Sequence, residues 1–122
     1  MANISIKFLG GVYGEKYKAI LKNAYCYIHG HEAGGTNPAL LEAMASGKCV
    51  VVLDVPYNLE VIEDCGISFS KKEGDLLRKL KILDKNEKLV KSLGEKAFQR
   101  VKKFYTWEKI IFEYDKLFKE LL

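Results

Sequence analysis

The sequence predicts an α/β protein with a parallel sheet flanked by helices, and three observations lead to this fold class. Segments typical of strands and of helices alternate through residues 1–70. Cys49–Leu53 is an uninterrupted apolar run, typical of a parallel strand covered on both faces. Residues 71–122 have the periodicity of helices throughout. Strands separated by helices indicate βαβ units with right-handed crossovers.

The first half of the chain supplies the strands and the helices between them. Ile4–Leu9 alternates apolar and polar residues and ends at a glycine pair, which predicts a strand and a turn. The remaining predicted elements are the strands Tyr25–His29, Cys49–Leu53 and Ile67–Ser70, and the helices Glu15–Asn23, Pro38–Ser46 and Leu59–Glu63. The first of these helices has an apolar side, formed by Tyr17, Ile20, Leu21 and Ala24.

From Glu73 onward the pattern is helical, with two apolar stripes and a final amphipathic helix. The stripes consist of Leu76, Leu77, Leu80 and Leu83, and then of Leu89, Leu93, Ala97, Val101 and Phe104. Thr106 is expected to cap the final helix, with Ile110 placed to contact Tyr105 across the cap. The apolar face of that helix packs on this domain or binds something outside the chain.

The length favours one domain, residues 1–122, with an alternating part (1–70) and a helical part (71–122). No apolar run could span a membrane and no secretory signal is evident, so a cytoplasmic location is expected. Residues 1–70 carry a net charge of −2 and residues 71–122 carry +6. Solvated helix faces explain this best, although an anionic membrane surface or an acidic ligand also fits. Nothing resembles a nucleic-acid-binding motif.

The cysteines and histidines give little support for a metal site. Cys26, Cys49 and Cys65 form no closely spaced pair and are interpreted as reduced, buried thiols. His29 and His31 are followed by Glu32, but a pair without a third distant ligand is a weak signal.

The stretch Gly34-Gly35-Thr36-Asn37-Pro38 predicts either an ordinary tight turn or an anion site. Proline suits the first helical position, which makes Asn37 the cap, and the glycines let the backbone approach a ligand. The unpaired N–H groups and the dipole at a helix start attract phosphate. In a parallel α/β sheet this helix start lies at the carboxyl end of the preceding strand, where ligands bind.

Glu42 is the one carboxylate in an otherwise apolar helix. Because an unpaired buried carboxylate is costly, Glu42 must face water or bind polar groups. A vicinal diol, such as that of a ribose or a sugar ring, could donate two hydrogen bonds to it. A purely solvated glutamate is the alternative.

The stretch GGTNPALLEAMASGKCVVV resembles the donor-binding segment of the GT-B glycosyltransferases, in particular the retaining group 1 or family 4 type and its rhamnosyltransferase-like members. FLGGVYGEKYKAILKNAYCYIHG, VLDVPYNLEVIEDCGISFS and FYTWEKI are similar to the neighbouring segments of that family, in the same order. The resemblance implies a Rossmann-like fold and the later part of a GT-B C-terminal, donor-binding domain.

The resemblance also implies a site for a nucleoside-diphosphate sugar, which is a substrate; no metal or other cofactor is expected. Backbone amides of Gly35, Thr36, Asn37 and Pro38 would bind the diphosphate and Glu42 the nucleotide ribose. The loop around Gly11 and Val12 would lie near the base. Gly34 stands where the family has its first glutamate, so sugar contacts are expected from the backbone, His29 or His31. No catalytic residue is assigned.

Two further departures from the family bear on activity. Lys48-Cys49 replaces the family's proline after the glycine. The resemblance covers neither the family's acceptor domain nor the first strands of its donor domain, which carry the basic residues for the diphosphate, so the isolated chain is expected to be inactive.

Two functions follow as alternatives. The first is donor binding in an enzyme of polysaccharide biosynthesis that transfers a hexose, such as rhamnose, to a glycan or lipid-linked acceptor. The acceptor would be bound through the missing N-terminal domain, and the enzyme could lie peripherally at the inner face of the membrane. The second is a non-enzymatic interaction or assembly module. A homodimer is compatible with both.

Overall fold

A computed structural model describes residues 15–30 and 38–104 of the chain. Helices and strands alternate over these residues and are followed by two helices, as the sequence predicts. In chain order the elements are α1 (Glu15–Asn23), β1 (Cys26–His29), α2 (Pro38–Ala45), β2 (Cys49–Leu53), α3 (Pro56–Ile62), β3 (Ile67–Phe69), α4 (Asp75–Asp84) and α5 (Glu87–Phe104).

The described strands form a parallel sheet in the order β1-β2-β3. Cys26 lies opposite Cys49 and His29 opposite Val52, so β1 and β2 run in register along their whole common length. Val51 lies opposite Ile67 in the next pair of strands. The predicted α/β fold with a parallel sheet and flanking helices is confirmed.

The central strand β2 is covered on both faces, which explains its uninterrupted apolar sequence. All five of its residues are at most 5% exposed. Val50 and Val52 pack in one core with side chains of α1, α2 and the second half of α5. Cys49, Val51 and Leu53 pack in a second core with α4 and the first half of α5. The alternation of side chains along a strand thus divides the core into two layers.

The helix α3 begins earlier than the sequence pattern indicates. It was expected over Leu59–Glu63, but it starts at Pro56, which occupies a first-turn position where its missing N–H costs nothing. Asn58 was expected to precede the helix. It lies inside it, where its buried side chain donates a hydrogen bond of 3.1 Å to the carbonyl oxygen of Leu53.

Three residues assigned to apolar stripes are half exposed: Ile20 (48%), Leu77 (50%) and Phe104 (46%). Ile20 and Leu77 each lie about 100° around their helix from the residues that enter the core, which is one residue step of an α-helix. Phe104 lies on the core side of α5 but at its last position, where the Arg100 guanidinium covers its ring at 5.1 Å. The buried face of these helices is therefore smaller than the distribution of their apolar residues suggests.

The cysteines are free thiols, and Cys49 and Cys65 are buried as expected, while Cys26 is partly buried. The predicted strand Ile4–Leu9 and the helix expected after Thr106 lie outside the described residues. Among the helices that the structure describes, none is long and apolar enough to cross a membrane.

Candidate functional site

The structure describes part of the site predicted from sequence. Pro38 is the first residue of α2 and Glu42 lies one turn further along it. The other predicted donor-binding residues lie outside the described residues; they are Val12, His31, Gly34, Gly35, Thr36 and Asn37. The structure therefore describes the helix α2 that follows the predicted glycine-rich loop, and the contacts of the loop itself remain a prediction.

The helix α2 begins beyond the carboxyl end of β1. The strand ends at His29 and the helix begins at Pro38, so the first turn of α2 lies at the edge of the sheet where α/β proteins bind ligands. The first turn of α2 holds no acidic side chain, so no carboxylate there offsets the positive end of the helix dipole.

The position of α2 is fixed by its buried face. Leu40, Ala43 and Met44 are fully buried against Val50 and Val52 of the central strand. Burial of a leucine or methionine side chain contributes about 1.5–3 kcal/mol to the stability of the fold. The helix is thus anchored along one side, and its exposed side is free for other contacts.

Glu42 lies on that exposed side of α2. This answers the question raised by a lone carboxylate in an apolar helix: the charge avoids the core because its neighbours at positions 40, 43 and 44 occupy the buried side. An exposed carboxylate has lone pairs available for hydroxyl or amide donors.

The charge of Glu42 acts on two tyrosines at the margin of the same core. Burial raises the pKa of Tyr17, and the negative charge of Glu42 raises it further. Burial also raises the pKa of Tyr27, and the charge of Glu42 adds to that effect. Both rings pack at the margin of the core that holds α2. The charge of Glu42 is therefore within electrostatic range of phenol groups on α1 and β1.

Tyr27 connects this group to a buried histidine at the end of β1. The Tyr27 hydroxyl lies 3.4 Å from Nδ1 of His29, and the two rings stack with centroids 5.9 Å apart. His29 is 5% exposed. Since residues two apart on a strand share a face, both rings lie on the side of the sheet that α2 covers.

His29 was one of two histidines considered for sugar contacts or for a metal. It is buried, and as the last residue of β1 it lies at the carboxyl edge of the sheet. Within residues 15–30 and 38–104, no group of three or more metal-binding side chains comes together. The described part of the site therefore consists of a carboxylate, two phenols and an imidazole.

The end of α2 explains the Ser46-Gly47-Lys48 segment. Gly47 adopts the left-handed backbone conformation, with φ of 74°, which ends the helix and suits glycine. The Ser46 hydroxyl donates a 2.8 Å hydrogen bond to the carbonyl oxygen of Glu42. Nζ of Lys48 donates a 2.5 Å bond to the carbonyl oxygen of Lys22, so Lys48 ties the end of α1 to the turn after α2.

The sequence analysis did not assign Tyr17 or Tyr27 to the site. A partial signal was present: Tyr17 lies one turn before the buried Leu21, and Tyr27 alternates with His29 along a strand. Their proximity to Glu42 joins segments that are 25 and 15 positions apart in the chain. No local pattern carries that information.

Chemically, this group of side chains can bind a polar ligand. The carboxylate accepts hydrogen bonds from hydroxyl groups, and the start of α2 attracts an anion. The two features lie one helical turn apart, about 6 Å along the axis at 1.5 Å per residue. That separation suits a ligand with a phosphate group and a hydroxylated ring joined directly to each other.

Comparison with known proteins identifies a family for this chain. A profile of the family described as "Glycosyl transferases group 1" matches residues 1–100. The chain is also 34% identical, over 125 aligned positions, to a protein of Methanocaldococcus jannaschii named as an uncharacterized glycosyltransferase. The alignment covers 98% of this chain and 32% of the relative, so the chain spans about a third of that relative's length.

Proposed function

The chain belongs to the group 1 glycosyl transferases, and from this membership we propose that it binds the nucleoside-diphosphate sugar of a sugar-transfer reaction. The site is the start of α2 together with Glu42. The sugar, a hexose such as rhamnose, would be transferred with retention of configuration to a glycan or lipid-linked acceptor. An N-terminal domain of the GT-B type would bind that acceptor.

The observation that carries this proposal is the orientation of α2. Its start lies at the carboxyl edge of the sheet, its buried face is fixed in the core, and its one carboxylate is exposed. A nucleoside diphosphate needs both an anion site and a hydroxyl acceptor a few ångströms away, and the start of α2 and Glu42 would supply them.

Different residues would bind different parts of the ligand. Backbone amides at Gly35, Thr36 and Asn37, with the helix start at Pro38, would bind the diphosphate, and Glu42 would accept hydrogen bonds from the ribose. The loop around Val12 would lie beside the base. Because Gly34 offers no side chain, the sugar would contact backbone groups and a histidine, His29 or His31.

A location at the cytoplasmic face of a membrane would suit a lipid-linked acceptor. On α4, Leu77 and Ile82 are half exposed on the same side as Arg78 and Lys81, and Lys85 follows. Apolar side chains surrounded by basic ones favour contact with an anionic lipid surface. This supports a peripheral association of the whole enzyme.

Calorimetry on the 122-residue chain tests the proposed site. We expect a saturable response to at least one of UDP, GDP and dTDP. Glu42→Ala should weaken binding of that nucleotide by roughly tenfold or more, the effect of losing a charged hydrogen-bond acceptor. Binding of inorganic phosphate should change little, because phosphate has no ribose. Glu60→Ala, which removes an exposed glutamate of α3, is the matched control.

Two outcomes would contradict this assignment. Equal losses for the nucleotide and for phosphate would show that Glu42 does not bind the ribose. No response to any of the three nucleotides would favour the alternative, a non-enzymatic interaction module.

A further inference from the structure

Tyr27 and His29 contact each other on the face of β1 that α2 covers. Residues two apart on a strand share a face, and Tyr27 packs against the core that contains Leu40 and Met44 of α2. The Tyr27 hydroxyl forms a long hydrogen bond, 3.4 Å, with Nδ1 of His29. The two rings also stack, with centroids 5.9 Å apart and planes inclined by 29°. A hydrogen bond and a ring contact therefore join the same two side chains.

His29 lies at the edge of the sheet where the donor is proposed to bind. It is the last residue of β1, and Val52, its partner in the next strand, packs in the same core as α2. The His29 side chain is 5% exposed, so a ligand atom that reaches it would leave water. A hydrogen bond in such surroundings is electrostatically stronger than one in water.

The chemistry of the two rings favours a hydrogen bond that runs from the phenol to the imidazole. A phenol has one O–H to donate, and an unprotonated imidazole nitrogen is a stronger base than a phenol oxygen. Burial raises the pKa of Tyr27, and the charge of Glu42 raises it further, so the phenol keeps its proton at neutral pH. These preferences make Nδ1 of His29 the acceptor.

An acceptor at Nδ1 fixes both the tautomer and the orientation of the imidazole. One nitrogen of a neutral imidazole carries the proton, so the proton lies on Nε2 and makes that nitrogen a donor. A half-turn of the ring about its bond to Cβ would put a carbon in the place of Nδ1 and break the bond from Tyr27. The stacked Tyr27 ring restricts the same rotation.

A donor at Nε2 suits the sugar of the proposed ligand. Hydroxyl oxygens of a hexose accept hydrogen bonds, and Gly34 offers no side chain for this purpose. A nitrogen that is already in the correct tautomer and orientation loses less conformational freedom when the ligand binds.

We propose that Tyr27 is a positioning residue for donor binding: its hydroxyl holds His29 in the tautomer and ring orientation in which Nε2 donates a hydrogen bond to the sugar of a nucleoside-diphosphate hexose. This inference rests on the proposed function and assigns the histidine contact with the sugar to His29. Tyr27 acts through His29 and does not itself contact the ligand.

Nitrogen NMR of the imidazole measures the tautomer directly. The chain contains two histidines, His29 and His31, so ¹⁵N-histidine labelling gives a simple spectrum, and His31→Gln assigns it. At pH 8, where a histidine of ordinary pKa is neutral, we expect a protonated Nε2 and an unprotonated, hydrogen-bonded Nδ1 for His29. Tyr27→Phe keeps the ring and removes the hydroxyl. In that variant the Nδ1 signal should shift to that of a nitrogen without a hydrogen bond, and the second tautomer should become populated.

Calorimetry measures the consequence for the ligand. Each nucleoside diphosphate is compared with a hexose conjugate: UDP with UDP-glucose, GDP with GDP-mannose and dTDP with dTDP-rhamnose. For the pair that binds most tightly, Tyr27→Phe should weaken binding of the hexose conjugate roughly three- to tenfold, the range of one hydrogen bond. Binding of the diphosphate without the hexose should be unchanged.

Two further variants complete the design. Tyr57→Phe removes the hydroxyl of an exposed tyrosine of α3 and should leave the His29 signals and both affinities unchanged. In a His29→Gln background, which weakens binding of the hexose conjugate by itself, Tyr27→Phe should have little additional effect, because the hydroxyl acts through the imidazole. Urea unfolding of each variant shows whether the fold is retained.

The outcomes separate this inference from the proposed function. If His29 carries its proton on Nδ1, or if Tyr27→Phe leaves its nitrogen signals unchanged, the positioning role is wrong and the donor site stands. If the signals change and the hexose conjugate binds as before, or if the conjugate and the free diphosphate are weakened equally, the inference is also wrong. If the unaltered chain binds none of these nucleotides, the proposed function fails, and this inference fails with it.

Discussion

Gly94, in the middle of α5, packs directly against the carbonyl oxygen of Gly47. A β-carbon built at position 94 would overlap that oxygen. Gly47 ends α2 in the left-handed conformation, so the contact joins the long helix α5 to the turn between α2 and β2. The glycine at 94, which normally weakens a helix, is required here by the close approach of two backbones.

Gly94→Ala is therefore expected to destabilise the fold. The added methyl group meets backbone atoms, which cannot rotate away, so α5 must shift relative to the turn. Overpacking of this kind typically costs about 1–3 kcal/mol, which exceeds the gain of up to about 1 kcal/mol in helix propensity. Urea unfolding measures the change. Ser92→Ala, at an exposed position of the same helix, is the control and should be nearly neutral; a stabilised Gly94→Ala variant would contradict the observed packing.

Arg100 of α5 is expected to stabilise the end of α3. Its Nε donates a 2.5 Å hydrogen bond to the carbonyl oxygen of Val61, and one Nη donates a 2.9 Å bond to that of Glu60. The guanidinium reaches the two carbonyl oxygens with two separate nitrogens, a spacing that the compact ammonium group of lysine does not reproduce. Arg100→Lys should therefore lower the free energy of unfolding by about 1–3 kcal/mol.

The comparison variant for Arg100 is Glu63→Gln. Arg100 also lies 3.3 Å from the Glu63 carboxylate, but the Glu63 side chain is 66% exposed. An exposed ion pair contributes about 0–1 kcal/mol. Thermal unfolding should therefore show a larger loss for Arg100→Lys than for Glu63→Gln. The reverse order would mean that the ion pair, and not the carbonyl contacts, is the stabilising interaction.

Asp75, at the start of α4, should make the stability of the chain depend on pH in the acid range. The backbone N–H of Ser70 donates a 2.7 Å hydrogen bond to one carboxylate oxygen, and Arg78 donates one to the other. These contacts lower the pKa of Asp75 from 3.8 to about 2. Since the folded pKa lies below the unfolded one, the stabilisation is complete above about pH 4 and is lost as the pH falls towards 2.

Asp75→Asn tests this effect. The urea midpoint of the variant should lie below that of the unaltered chain at pH 7, and the difference should shrink between pH 4 and pH 2.5. Asp84→Asn, at an exposed position at the end of the same helix, should show no such convergence. An equal difference at pH 7 and at pH 2.5 would show that the Asp75 contacts do not depend on its charge.

Cys49 is expected to be unreactive while the chain is folded. Burial and the neighbouring Cys26 thiol raise the pKa of Cys49 to about 11, and the residue is 1% exposed. At pH 8 roughly one molecule in a thousand would carry the reactive thiolate. Iodoacetamide labelling, followed by mass spectrometry of peptides, should therefore modify Cys49 slowly in buffer and rapidly in urea. Equal rates in the two conditions would contradict its burial.

The sequence predicted the elements that have a strong local signal. Cys49–Leu53 and Glu15–Asn23 have the predicted bounds, because a doubly covered strand and an amphipathic helix each leave a periodicity that can be read locally. The start of α3 was missed because Pro56 was not recognised as a first-turn proline. Leu77 was placed in the core because a stripe in sequence does not reveal how wide the buried face of a helix is.

The candidate site was predicted in part. Glu42 could be singled out because a charge in an apolar helix contradicts the pattern around it. Its electrostatic effect on Tyr17 could not be predicted, because that effect depends on how α1 and α2 pack on the same core. The close approach of Gly94 to Gly47 is a tertiary contact of the same kind, and it is visible only once the chain is folded.

The central claim is that the segment from Gly35 to Glu42 binds a nucleoside diphosphate, and an NMR titration of the ¹⁵N-labelled chain tests it most directly. UDP, GDP and dTDP are added separately up to millimolar concentration, with backbone amide shifts recorded throughout. The account predicts saturable shifts for at least one nucleotide, concentrated between Gly35 and Glu42. Shifts located elsewhere in the chain, or no shifts with all three nucleotides, would contradict it.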